Sequence, residues 1–138
     1  MTDEVLLNKV ASMERCIKRI QEEYHGHETE FLTNYTKQDA IILNLQRACE
    51  ISIDAAMHIV QVKALGLPQG SRDAFVLLEE SKIISPSLSQ QLQSMVGFRN
   101  IAVHEYTRLD PSIVISVIEK HLGDFLAFSR ILLELSKK

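Results

Sequence analysis

The sequence predicts an all-α fold: an antiparallel helical bundle of about five helices, assembled as a homodimer. Three observations carry this expectation. Apolar residues recur at spacings of 3 and 4 along most of the chain, the pattern of helices that each bury one stripe. The 138 residues include only 3 Pro and 5 Gly, where average usage would give about 7 and about 10, so a turn-rich all-β architecture is disfavoured. A capping residue followed by proline occurs at Ser85-Pro86 and again at Asp110-Pro111, a device that starts helices. A chain of this length builds one domain, residues 1–138, around a real core. Its 46% hydrophobic and 24% charged content excludes disorder and fibrous structure.

The first helix is expected from Asp3 to Tyr24, where Leu6, Val10, Met13, Ile17, Ile20 and Tyr24 share one stripe. Residues 25–35 lose the period and gather turn formers. Thr36-x-x-Asp39 offers a capping box for a second helix from about Lys37 to Ala64. That helix is apolar around much of its circumference, through Ile41, Ile42, Leu45, Cys49, Ile51, Ala55, Ala56, Ile59 and Val60. It is therefore either central or an interface. A turn at Gly66-Leu67-Pro68-Gln69-Gly70 precedes a short third helix, Arg72 to Lys82, capped by Ser71. The fourth runs from Pro86 to about Tyr106, and the fifth places Val114, Ile118, His121, Phe125, Phe128, Leu132 and Leu135 on one seam. Two-sided and seam-like apolar surface in so short a chain suggests that a second copy covers part of it across a two-fold axis.

Cys16 and Cys49 lie in apolar helical patterns without CxxC spacing and read as reduced core thiols. The acidic start, Met1-Thr2-Asp3-Glu4, is unlike a signal peptide, and no apolar run approaches the ~18 residues that span a membrane. The expectation is a soluble cytoplasmic protein without a membrane partner. A net charge of −3 gives no global footprint for long nucleic acid, so any such contact is local.

The fourth helix holds the most unusual residues. Its stripe reads Leu88, Leu92, Met95, Arg99, Ala102 and Tyr106, so an arginine occupies a core-type position. Either Arg99 snorkels to water from the stripe edge, or it is a fixed guanidinium for phosphate. Its neighbourhood, Gly97-Phe98-Arg99-Asn100-Ile101-Ala102-Val103-His104-Glu105-Tyr106, concentrates Arg, Asn, His and Tyr in two turns. Asn100 and His104 lie about 40° apart on the helix and share a face, whereas Arg99 and His104 lie about 140° apart. They converge if the arginine wraps around the helix or if two symmetry-related helices meet, and Gly97 would let such helices approach closely. Tyr106 either closes the core or presents its phenol beside the cleft. As a helical residue it falls within about 20° of Arg99 and roughly 10 Å further along.

Arg99-x4-His104-x-Tyr106 resembles the RX4HXY signature of HepT-like toxins in the HEPN (higher eukaryote and prokaryote nucleotide-binding) superfamily. The element order and the stretch Asp39-Ala40-Ile41-Ile42-Leu43-Asn44-Leu45-Gln46-Arg47 extend the similarity over essentially the whole chain. The resemblance implies a homodimeric, metal-independent endoribonuclease that needs no cofactor, with Arg99 and His104 catalytic and RNA as substrate. It also implies an antitoxin partner, the MntA nucleotidyltransferase, which restrains the toxin by transferring AMP from ATP to Tyr106. Histidine suits proton transfer and arginine suits phosphoryl oxygens, while Asn100 would orient His104 or bind substrate phosphate. Attack by the 2′-hydroxyl would leave a 2′,3′-cyclic phosphate. The alternative is a non-catalytic HEPN-type module that binds a nucleotide or a partner's phosphate.

Weaker signals remain. His25-x-His27-Glu28 has metal-ligand types without a third or fourth ligand, and a solvated loop is the ordinary reading. His121 reads as a packed or interface residue. The stripe Arg47, Glu50, Asp54, His58, Gln61 lines a cleft or is simply a solvated face. No P-loop, GxGxxG or serine or cysteine nucleophile motif is present.

Overall fold

In the computed structural model, which describes residues 2–137, Asp3 starts the first helix, α1 (Glu4–Tyr24), by accepting the Leu6 N–H at 3.1 Å. The expected stripe is buried in full, with Cys16 beside it. The period then breaks, but not into a loop alone. A single turn, α2 (Glu28–Phe31), seats a fully buried Phe31 edge-on to Tyr24, ring centroids 5.9 Å apart. Four residues are too few to display a helical period, which is why the sequence reads as turn there.

The next helix, α3 (Tyr35–Val62), begins two residues before its expected start. Asn34 caps it by accepting the Lys37 N–H at 3.0 Å, so Thr36 and Asp39 lie inside the helix and form no capping box. α3 touches all five other helices, which accounts for its wide apolar circumference. Its two-sidedness is thus satisfied within one chain and does not by itself call for a second copy.

α4 (Ser71–Glu80) carries Ser71 as its first residue instead of its cap; Gly70 occupies the cap position and supplies no side-chain bond. Phe75 of α4 is fully buried edge-on to Phe128. α5 (Pro86–His104) starts as expected, Ser85 accepting the Leu88 N–H at 3.1 Å, but it stops at His104. A 3-10 turn, Tyr106–Arg108, then leads to α6 (Pro111–Ser136), capped by Asp110 at 3.1 Å from the Ile113 N–H. On α6, Val114, Ile118, Phe125, Phe128 and Leu132 are buried. His121 and Leu135 are only partly covered, and His121 bonds Asp124 at 2.9 Å.

α1 packs on α3 and α6, while α4 and α5 pack on each other and on α3. The buried side chains form one contiguous cluster. The Asp3 N–H donates to the Ser136 carbonyl at 2.8 Å, closing α1 against the last turn of α6. Cys16 and Cys49 are buried and free, and burial pushes both thiols up, Cys49 far up. Among the described residues no helix is long and apolar enough to cross a membrane.

Candidate active site

The buried face of α5 is made by Ser89, Leu92, Met95, Val96, Phe98 and Ala102. Arg99 flanks that face instead of sitting in it, and its half-buried side chain reaches α4, where Nη2 donates to Ser71 Oγ at 3.3 Å. Its Nε is buried and has no hydrogen-bond partner. The arginine is therefore neither a free snorkelling side chain nor a fully satisfied one. A buried donor left unmade costs about 1–3 kcal/mol, and a ligand oxygen would remove that cost.

Arg99 and Asn100 open onto a cleft of about 550 Å³ between α4 and α5, which Ser71, Arg72, Asp73 and Val76 also line. Such a volume lies in the range of small-ligand sites. Gly97 does not present a bare face to another helix within the chain. The Arg72 guanidinium occupies that face, Nη2 lying 2.8 Å from where a Cβ would stand. Asp73 is spent on the backbone, accepting the Gln69 N–H at 2.8 Å.

His104 ends α5, is exposed, and has no hydrogen-bond partner among the described residues. It stands one turn beyond Asn100 on the same face but is not part of the cleft lining. Within one chain the structure thus brings Arg99 and Asn100 together and leaves His104 apart.

Tyr106 departs most from expectation. Because α5 ends before it, its helical-wheel position beside Arg99 does not exist; the residue lies in the 3-10 turn and is 44% exposed. Its hydroxyl donates to the Asp39 carboxylate on α3. Partial burial, together with the hydrogen bond to Asp39 and that residue's charge, pushes the phenol up to about 12. Asp39 was therefore missed as a site residue. It stands 67 positions from its partner, and no local pattern signals a contact at that separation.

Arg47, Glu50 and Asp54 do line a second cleft, with Arg15 and Arg19 of α1 opposite them. His58 does not belong to it; its Nε2 bonds Asp3 at 2.8 Å. His27 pairs with Glu30 at 3.3 Å, and among the described residues no three His, Cys, Asp or Glu side chains converge as a metal site.

Against this geometry, comparison with known proteins is direct. The family model HepT-like, described as Ribonuclease HepT-like, matches residues 13–132. The chain is 49% identical over 126 residues to the mRNA nuclease HepT of Shewanella oneidensis, covering 91% of this chain and 94% of that one. Among solved structures it resembles the tri-AMPylated Shewanella oneidensis HEPN toxin in complex with MNT antitoxin, at 48% identity and a TM-score of 0.89, over 94% of this chain and 97% of the other. A toxin–antitoxin complex with AMP-PNP matches at 47% identity and a TM-score of 0.90, over 94% and 98% of the two chains.

Proposed function

The chain belongs to the Ribonuclease HepT-like family, and on that premise we propose that it is a cytoplasmic toxin endoribonuclease, neutralised when a partner nucleotidyltransferase of the MntA type adenylylates Tyr106. The observation that carries the reading is Arg99: a guanidinium tethered to Ser71, with a buried and unpartnered Nε–H, beside a cleft that Asn100 shares. An arginine held this way is ready for a phosphodiester before the substrate arrives. The relatives support the nuclease activity and the control by AMP transfer, being an mRNA nuclease and an AMPylated toxin bound to its antitoxin.

The chemistry follows from the residue types. A base removes the proton of a ribose 2′-hydroxyl, whose oxygen attacks the adjacent phosphorus. The bond to the 5′-oxygen breaks as that oxygen receives a proton, leaving a 2′,3′-cyclic phosphate and a 5′-hydroxyl. Arg99 binds the phosphoryl oxygens through its planar fork, His104 transfers protons, and Asn100 binds substrate. Arg99 and His104 point about 140° apart on one helix, so a homodimer that sets two α5 helices face to face completes the constellation. AMP on Tyr106 adds bulk and anionic phosphate two residues from His104, and like charge then disfavours the approach of the RNA backbone.

Purified protein should cleave RNA in excess chelator and leave cyclic-phosphate ends, while Arg99→Ala and His104→Ala each lower cleavage by about two orders of magnitude or more with helicity unchanged. RNA left intact by the wild type, or full activity in both variants, rejects the ribonuclease reading.

A further inference from the structure

Arg72 has no part in the motif, yet its surroundings single it out. It lies in the first turn of α4, where the helix dipole disfavours a cation, and it forms no salt bridge among the described residues. Its guanidinium, on an exposed side chain, lies over Gly97, two residues before Arg99, in space that exists only because position 97 lacks a side chain. It lines the same cleft as Arg99 and Asn100. The neighbouring carboxylate, Asp73, is bonded to the Gln69 backbone and ion-pairs with neither arginine. Two guanidinium groups therefore face one cleft, and Asp73, the carboxylate on its lining, pairs with neither.

We propose that Arg72 is a second phosphate-binding residue of this site, taking a backbone phosphate of the RNA next to the phosphodiester that Arg99 engages. The assignment rests on the ribonuclease reading and extends it to how the strand is held. The fork of Arg72 matches phosphate oxygens bidentately. Contacts to phosphate position a strand without reading its bases, so Arg72 contributes affinity and register, not sequence preference. Gly97 acts through Arg72 as a positioning residue: its missing Cβ is the seat on which the guanidinium rests.

The test is binding of a short fluorescein-labelled single-stranded RNA to His104→Ala protein, which leaves the probe uncut, measured across a range of salt concentrations. Adding Arg72→Ala should weaken binding about tenfold, equally for probes of different sequence, and flatten the logarithmic salt dependence by about 0.7, the loss of one single-strand phosphate contact. Arg72→Lys should keep most of the salt slope but recover only part of the affinity, since the charge stays and the fork is lost. Gly97→Ala should weaken binding in the same direction but less than Arg72→Ala, because the new methyl pushes the flexible end of the guanidinium aside while its charge stays. It should leave thermal stability undiminished, since alanine is the better helix former, so weaker binding cannot be blamed on misfolding. Unchanged affinity and slope in Arg72→Ala would overturn the proposal, as would a change in its oligomeric state, which would make Arg72 a subunit contact. Failure of the parent His104→Ala protein and of the wild type to bind RNA would instead remove the ribonuclease reading itself.

Discussion

Tyr106 and Asp39 stand 67 residues apart, and a hydrogen bond joins them. Burial raises the phenol first, and with the carboxylate as acceptor losing the phenolic proton would also set two negative charges side by side, so the hydroxyl stays protonated well into the alkaline range, up to about 12. Asp39→Asn keeps the size of the side chain and removes its charge. Its phenol should therefore titrate lower than in the wild type, while burial keeps part of the rise. Ultraviolet absorbance between pH 9 and 13, with Tyr106→Phe as the blank, reads this one group against Tyr24 and Tyr35. Superimposable curves for Asp39→Asn and wild type would mean that the contact does not govern the phenol. Cys49 shows the opposite use of burial: its raised thiol lies in the core as an inert apolar group, not a nucleophile.

At the scale of elements, Asp3 does two jobs at the start of α1: it caps the helix and bonds His58 on α3. Burial alone would raise its carboxyl, but the hydrogen bonds from His58 and from the Leu6 N–H, with the charge of His58, outweigh that and hold it below its ordinary value of 3.8. The folded group is thus the stronger acid. Its stabilisation is present above the unfolded value, near 3.8, and is lost as pH falls through the lower folded value. Asp3→Ala should cost about 1 kcal/mol at pH 7 and progressively less as pH falls below 3.8 through the folded value, a contrast that urea denaturation resolves at pH 7 and at the acid end of that range. An equal loss at both would contradict the linkage. The starts of α1, α5 and α6 were legible because Asp3, Ser85-Pro86 and Asp110-Pro111 act through their immediate neighbours. The end of α5 was not. Val103-His104-Glu105-Tyr106 holds no glycine or proline to stop a helix, only the weaker signal of a histidine in the last turn, and the turn that follows bonds a distant helix through Tyr106. Likewise Arg99 and Asn100 were readable from their own segment, while Arg72 and Asp39 join the site only through tertiary structure.

For the whole molecule, the question is where a second copy would sit. Tyr35 and Leu43 lie one turn to either side of Asp39, on its face of α3, and are 77% and 42% exposed. Tyr106 is tied to Asp39 between them, so three large apolar or amphipathic side chains adjoin one another beside the motif. Exposed apolar side chains grouped in this way offer a surface on which another chain can pack. Wild type should sediment as a dimer at micromolar concentration, and Leu43→Glu should shift it toward monomer and reduce RNA cleavage along with it. A monomeric wild type that still cuts RNA would dispose of the composite site. The hydrogen bond from Asp3 to Ser136 has a further consequence, for the birth of the protein. α1 is made early and packs against α6, which is made later than every other helix described. While the ribosome is at work, the stripe of α1 waits without half of its cover, even after Arg99 and His104 have emerged. A message broken within the α6 codons therefore yields a chain that bears the motif but has no closed bundle to hold it.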